Sequence, residues 1–283
     1  MTNSTSKVLV LGGTGKTGSR LVAKLAELGL AVRTAARQGA DIRFDWDDAS
    51  THQLAVDGID RIYLMTPVIP QAGFTEHVTS FLDKAAAAGV QHITCLSAYG
   101  MDEAPSEITL RAVELDLLGR NDFTNSILRP AWFMQNFSEG HLVPIDGCIT
   151  APTGDGAEAF IDIEDIAAVA AATLADPDTH AGAQYALTGP EALTVADAAD
   201  AITTITGQSV KHRDIDRQTW IQAGVAAGIP ADYSDMLALL TETVASGHGS
   251  RPTYDVERVT GTPPTSFADF IRRTAHQFTG THR

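Results

Sequence analysis

The sequence predicts an α/β protein built on a doubly wound parallel sheet with a smaller C-terminal α/β lobe, and two observations carry that prediction. Short apolar runs alternate with helical patterns as far as Leu128, and the first run breaks into glycines spaced i, i+3, i+6 at Gly12, Gly15 and Gly18. Residues 8–11 read as a buried parallel strand. The glycines let the backbone turn sharply, approach a pyrophosphate closely and pack the following helix against the sheet. That helix then offers unsatisfied amides and the positive end of its dipole to an anion, with Thr14 and Thr17 as hydroxyl donors. Together these are the marks of a dinucleotide site in a Rossmann-type sheet.

Each later element continues the rhythm. Residues 19–28 form an amphipathic helix, with Leu21, Val22, Leu25 and Leu28 on one face and Gly29 as its stop. Residues 31–36 and 41–44 read as the second and third strands, and 61–65 as a fourth that closes at Thr66 and Pro67. A helix over 74–88 ends at Gly89, a fifth strand over 92–96 ends at Ser97, and a helix over about 107–119 leads to a sixth strand over 124–128. Arg129-Pro130 breaks the pattern. Beyond it, Cys148-Ile-Thr, Ala159-Phe-Ile-Asp and Gln184-Tyr-Ala-Leu read as short strands among helices. Asp165 can cap a helix over 166–174, Thr194 one over 195–206, and Asp216 or Thr219 one running through Val225. The expected division is a nucleotide-binding core over 1–135 and a substrate lobe over 136–283, with some strands and helices of the second stretch returning to the core.

At 283 residues the chain can bury one large α/β core with a small appended lobe. It is 44% hydrophobic and 19% charged without an apolar stretch of about 18 residues, which argues against a membrane protein. The first residues lack a basic and an apolar signal region, so a cytoplasmic location is expected. A formal net charge of −15 opposes nonspecific binding to nucleic acid or anionic membrane, and no basic run offsets it. The expected partner is a small-molecule substrate; a homodimer is left open. Cys95 and Cys148 lack metal-ligand spacing and the histidines are scattered singly, so no metal is expected.

The second strand bears on the choice of cofactor. Dehydrogenases that prefer NAD carry an acid about 20 residues beyond the glycine loop, which would repel a 2′-phosphate. This chain has Arg37 there, whose guanidinium can bind such a phosphate through a charge-assisted fork, and Lys16 adds a cation within the loop. NADP(H) is therefore favoured over NAD(H), the alternative being a solvated surface arginine. Asp45 can accept from the adenine amino group or serve as a turn aspartate.

The motifs Gly12-Gly-Thr-Gly-Lys-Thr-Gly18, Phe44-Asp-Trp-Asp47, Leu96-Ser-Ala-Tyr-Gly100 and above all Ile127-Leu-Arg-Pro-Ala-Trp-Phe-Met-Gln-Asn-Phe137 carry a resemblance. The chain resembles the NmrA-like branch of the atypical short-chain dehydrogenase/reductases along its whole length. Its form is most similar to the festuclavine dehydrogenase-like reductases of ergot alkaloid pathways, with quinone and triphenylmethane dye reductases also similar. The resemblance implies an NADP(H) site built from Gly12, Thr14, Gly15, Lys16, Thr17, Gly18 and Arg37, with Thr66 and Pro67 flanking the adenosine. It further implies that Ser97, Ala98 and Tyr99 line the nicotinamide side and that Pro130, Trp132 and Phe133 wall the pocket.

One departure shapes the expected chemistry. Short-chain dehydrogenases commonly use a Tyr-x-x-x-Lys pair, in which the lysine lowers the tyrosine pKa; here Tyr99 is followed by Gly-Met-Asp-Glu, and no lysine follows on the next helix. Iminium ions and quinones accept hydride with less need of a positioned acid, so the expected activity is hydride transfer from NADPH to such an acceptor, of the kind met in secondary metabolism. Tyr99 is the candidate hydrogen-bond donor, or else a packing residue. The alternative is an NADP(H)-binding redox sensor without turnover. Glu114 reads as an acid that caps or pairs with Arg111 or Arg129, or else serves catalysis, Asn136 as a pocket residue or a satisfier of the bend after Pro130, and Trp220 heads an apolar stripe through Leu240 that is either core or pocket lid.

Overall fold

The computed structural model describes residues 6–67 and 73–278. In chain order the elements are β1 (Lys7–Leu11), α1 (Lys16–Glu27), β2 (Ala31–Ala36), β3 (Ile42–Arg43), α2 (His52–Val56), β4 (Arg61–Met65), α3 (Phe74–Ala87) and β5 (His92–Leu96). There follow α4 (Thr109–Gly119), β6 (Thr124–Pro130), α5 (Asn136–Glu139), β7 (Cys148–Thr150), β8 (Ala157–Glu158), α6 (Ile163–Ala175), β9 (Gln184–Leu187) and β10 (Leu193–Thr194). Last come α7 (Val195–Thr206), β11 (Lys211–Arg213), α8 (Arg217–Ala226), α9 (Ala231–Ala245), α10 (Asp255–Thr260) and α11 (Phe267–Phe278).

The chain packs as two compact units. One takes in the residues to Pro130 together with 163–187 and 258–261, and the other takes in 131–162, 188–257 and the residues from Thr262. The first unit holds a seven-stranded sheet in the order β3-β2-β1-β4-β5-β6-β9, every pair parallel. The order reverses between β1 and β4, the kind of switch point outside which open parallel sheets bind their ligands. Side chains alternate across the sheet: Leu9, Leu11, Ile62, Leu64, Ile93 and Cys95 enter one core with Val56 of α2, Phe81 of α3 and Val113 of α4. Elsewhere α1 packs on α6, whose alanines permit close approach, and both Arg20 and Lys24 reach Glu164 at 2.9 and 3.4 Å.

Several boundaries differ from those the sequence suggests. α1 begins at Lys16 instead of residue 19, because Gly15 starts the helix without any side-chain cap. The alanine-rich α6 begins at Ile163, ahead of Asp165, and lies in the first unit with β9. Where Ala159-Phe-Ile-Asp reads as a strand, the strand is Ala157–Glu158, and Ile161 makes only an isolated parallel bridge to Phe133.

The second unit is built around Met134, Phe137, Ile149, Phe160, Ile202, Phe267 and Phe270, with Phe137 edge-on to both Phe160 and Phe267 at 5.0 Å. Two small sheets, antiparallel β10-β8 and parallel β11-β7, frame it. α7 starts at a capping box, in which Thr194 and Asp197 satisfy each other's backbone amides, and stops at Gly207 with φ 74°. The fully buried Asp162 accepts from Gln135 at 2.7 Å and from Arg273, which pins α11 to this unit.

Candidate cofactor site and the aromatic cluster of the second unit

The glycine loop is held by its own backbone. Gly12 sits at φ 67° and donates to the Ala35 carbonyl at 2.8 Å, while Gly15 donates to the Gly12 carbonyl at 2.8 Å. A Cβ on Gly18 would lie 2.1 Å from the Gly12 oxygen, and one on Gly13 would lie 2.8 Å from Thr34 Cβ. Gly15 differs. A Cβ there would meet the Gly12 oxygen at 3.2 Å, a tight contact but a milder one than at Gly18 or Gly13, and a bare backbone at this position suits a phosphate approaching closely. Neither a capping side chain nor an acid occupies the first turn of α1, in contrast to α7, which leaves that turn's amides and dipole to an anion. Thr14 and Lys16 are exposed beside the loop and Thr17 is buried. The residues present therefore fit a dinucleotide pyrophosphate.

The two arginines of the β2 segment have different fates. Arg33 donates to the carbonyls of Leu54, Ala55 and Asp57 at 3.3, 3.1 and 2.8 Å, closing the C-terminal end of α2. Arg37 is exposed just past β2 and makes no hydrogen bond or ion pair among the described residues. Gly39, two residues on, brings this segment beside the loop: a Cβ there would lie 3.9 Å from Thr14 Cγ2. Asp45 is engaged in its turn, with its carboxylate taking the Asp47 amide at 3.3 Å and Arg43 at 3.6 Å. Thr66 and Pro67 follow β4 at the switch point, and residues 68–72 lie outside the described chain.

At the carboxyl end of β5, Ser97 and Tyr99 extend the ladder: the Ser97 amide donates to Leu128 O at 2.7 Å and the Tyr99 amide to Pro130 O at 3.0 Å. Ala98 and Tyr99 are half-buried. Ser97 Oγ donates to Glu114 of α4, a carboxylate with no exposed surface. Arg129 Nε and Nη2 grip the same carboxylate at 2.9 Å each, and Arg111 Nη1 adds 2.7 Å. Burial pushes the Glu114 pKa up, but the hydrogen bonds from Arg129, Ser97 and Arg111 outweigh it and hold the carboxyl below its usual range.

The expected pocket residues after Pro130 lie in the second unit. Trp132 packs edge-on to His141 at 5.1 Å, and His141 packs edge-on to Trp220 at 6.2 Å. Trp220 is fixed by its indole N–H, which donates to Thr150 O at 2.8 Å. Phe133 is half-buried, and Asn136 spends its backbone on the bend, donating to Phe133 O and accepting from Leu142. The apolar stripe divides, with Ile221 and Leu237 in the core and Val225, Tyr233 and Leu240 exposed. Two residues here carry no motif in the sequence. His141 is a lone histidine whose place between two tryptophans is set by long-range packing. Glu158 is 2% exposed, accepts from the Trp132 amide at 3.2 Å and from the Gly249 amide, and burial pushes its pKa up to about 7.

Comparison with known proteins follows the same outline. The NmrA-like family matches residues 4–261. YesF, an uncharacterized oxidoreductase of Bacillus subtilis (strain 168), is 36% identical over 284 residues and covers 96% of each chain. Festuclavine dehydrogenase of Aspergillus fumigatus is 32% identical over 286 residues, covering 94% of this chain and 97% of that protein. Among solved structures, the NADPH-dependent quinone oxidoreductase of Escherichia coli in complex with NADPH shares the fold, with a TM-score of 0.80 at 22% identity over 94% of this chain and 99% of that one. Because the match runs through both units, and relatives of the same length accompany it, the chain belongs to the NmrA-like family.

Proposed function

We propose that the protein is an NADP(H)-dependent reductase that delivers hydride to a small, largely apolar electrophile such as an iminium ion, a quinone or a related conjugated acceptor. The observation that carries the cofactor is Arg37, an exposed arginine without a hydrogen bond or ion pair among the described residues, two residues before Gly39, which lies beside Thr14 of the glycine loop, and placed where an NAD-preferring chain would carry an acid. When bound, NADPH supplies the hydride at its nicotinamide C4. The loop backbone and the first turn of α1 hold the pyrophosphate, and Arg37 holds the 2′-phosphate through paired N–H donors. Ser97, Ala98 and Tyr99, at the carboxyl end of β5, border the nicotinamide half, with Tyr99 offering a hydrogen bond to the acceptor.

The acceptor class follows from the chain's chemistry. Glu114 is ionised and saturated with donors, and no lysine accompanies Tyr99, so acceptors that take hydride without a strong positioned acid are favoured. Festuclavine dehydrogenase and the quinone oxidoreductase among the similar proteins support this reading. The missing tyrosine-lysine pair also supports a second reading, an NADP(H)-binding redox sensor. Titration with NADPH and NADH, followed by NADPH consumption with a panel of quinones, imines and enones, separates the two. Preference for NADPH with turnover on the panel supports the reductase; tight binding without turnover on any acceptor supports the sensor; equal affinity for NADPH and NADH overturns the Arg37 argument.

A further inference from the structure

Four donors converge on the two oxygens of Glu114: Ser97 Oγ and Arg129 Nε on Oε1, and Arg129 Nη2 and Arg111 Nη1 on Oε2. A carboxylate has about four lone-pair directions, and all are taken. Glu114 therefore has neither a proton to give nor a vacant oxygen to receive one, and its role is geometric. Stability alone does not account for it. A buried ion pair is on average no more stabilising than apolar residues of the same volume, and the neighbouring α4 residues Val113 and Leu117 already pack fully into the core.

The cluster's place in the sheet gives it a purpose. Arg129 also donates to Gln184 Oε1 at 2.7 Å, so β5, α4, β6 and β9 are tied together just where the sheet ends and the 97–99 segment begins. Ser97 is held twice, by its amide on Leu128 and by its hydroxyl on Glu114. With its proton committed to a carboxylate, the hydroxyl can meet a ligand only through its lone pairs, and a polarised O–H makes the oxygen a better acceptor.

We propose that Glu114, acting through Ser97 and Arg129, is a positioning residue that turns Ser97 into a fixed hydrogen-bond acceptor for the amide N–H of the nicotinamide carboxamide. This rests on the NADP(H) reading above and adds to it the direction of the hydrogen bond. A reduced dinucleotide phosphate whose carboxamide is replaced by an acetyl group keeps the carbonyl but has no N–H to donate. The wild-type protein should bind NADPH about tenfold more tightly than this acetylpyridine analogue, roughly the worth of one hydrogen bond.

The test measures dissociation constants for NADPH, the acetylpyridine analogue and 2′,5′-ADP by fluorescence titration of the wild type, Ser97→Ala, Ser97→Thr and Glu114→Gln. Ser97→Ala should bring the NADPH-to-analogue ratio near one with 2′,5′-ADP affinity unchanged within twofold, and Ser97→Thr should restore the ratio. Glu114→Gln, which removes the charge that holds the Ser97 proton and puts an NH2 among the arginine donors, should narrow the ratio in part. If Ser97→Ala keeps the full preference, or lowers 2′,5′-ADP binding as much as NADPH binding, the proposal is overturned while the nucleotide site stands. If the wild type binds neither NADPH nor 2′,5′-ADP, the nucleotide reading falls and this proposal with it. Ser97→Ala removes one hydroxyl and leaves the Glu114–Arg129 fork intact, so it decides the matter even where Glu114→Gln fails to fold.

Discussion

A Cβ on Gly18 would lie 2.1 Å from the Gly12 oxygen, so Gly18→Ala must push α1 away from the loop that starts it. That overpacking against backbone should cost on the order of 2–4 kcal/mol in denaturant unfolding. Arg37→Ala should act in the opposite way. Its side chain is exposed and makes no hydrogen bond or ion pair among the described residues, so stability should hold within about 0.5 kcal/mol while, on the proposed cofactor reading, NADPH affinity falls roughly 10- to 100-fold and NADH affinity does not change. Glu158 predicts a dependence on pH. Burial raises its pKa from 4.5 to about 7, so the folded chain holds this proton more tightly than the unfolded one. Its contribution is fully present below pH 4.5 and is lost as pH rises through about 7, a difference of roughly 3 kcal/mol at about 1.4 kcal/mol per unit. Urea unfolding at pH 5 and pH 8.5 should show this loss in the wild type and a flatter profile in Glu158→Gln. The turn at the glycines is legible in the sequence because its constraints are local. Glu158 and His141 are not, since only the approach of Gly249 and of two tryptophans gives them a setting.

Among the elements, the ones with local start and stop signals match their sequence reading most closely. α7 spans Val195–Thr206 behind its Thr194 cap as read, because the capping box and the positive-φ Gly207 that bound it are local signals. Replacing Thr194 with Ala should cost about 1 kcal/mol, measurable as a lowered thermal midpoint. β2, β4 and β5 likewise keep their expected ends, where apolar runs meet turn residues. α1 starts earlier than its amphipathic pattern suggests, since Gly15 and Gly18 conceal the first turn. β8 is only two residues long and pairs with β10 far along the chain, which no local pattern records.

For the whole molecule, the alternation of strands and helices announces the parallel sheet but not which late segments join it. β9 pairs with β6 and α6 packs on α1, although both follow 32 residues that belong to the other unit. Their recruitment depends on tertiary packing: α6 is apolar nearly all round and β9 is a short strand with one long-range partner. A fragment of residues 1–135 would expose β6 as an open sheet edge and bare the surface of α1 that faces α6. It should aggregate or show little cooperative unfolding by circular dichroism, whereas the full chain should unfold cooperatively.

The contrast between Arg33 and Arg37 reaches beyond this one chain. Four residues apart on the same segment, one arginine completes a neighbouring helix and the other is exposed with no hydrogen bond or ion pair among the described residues. A descendant gene can therefore exchange Arg37 for an acid while its scaffold is inherited intact, and, on the proposed reading of the cofactor, a designer seeking a different dinucleotide has a single codon to rewrite.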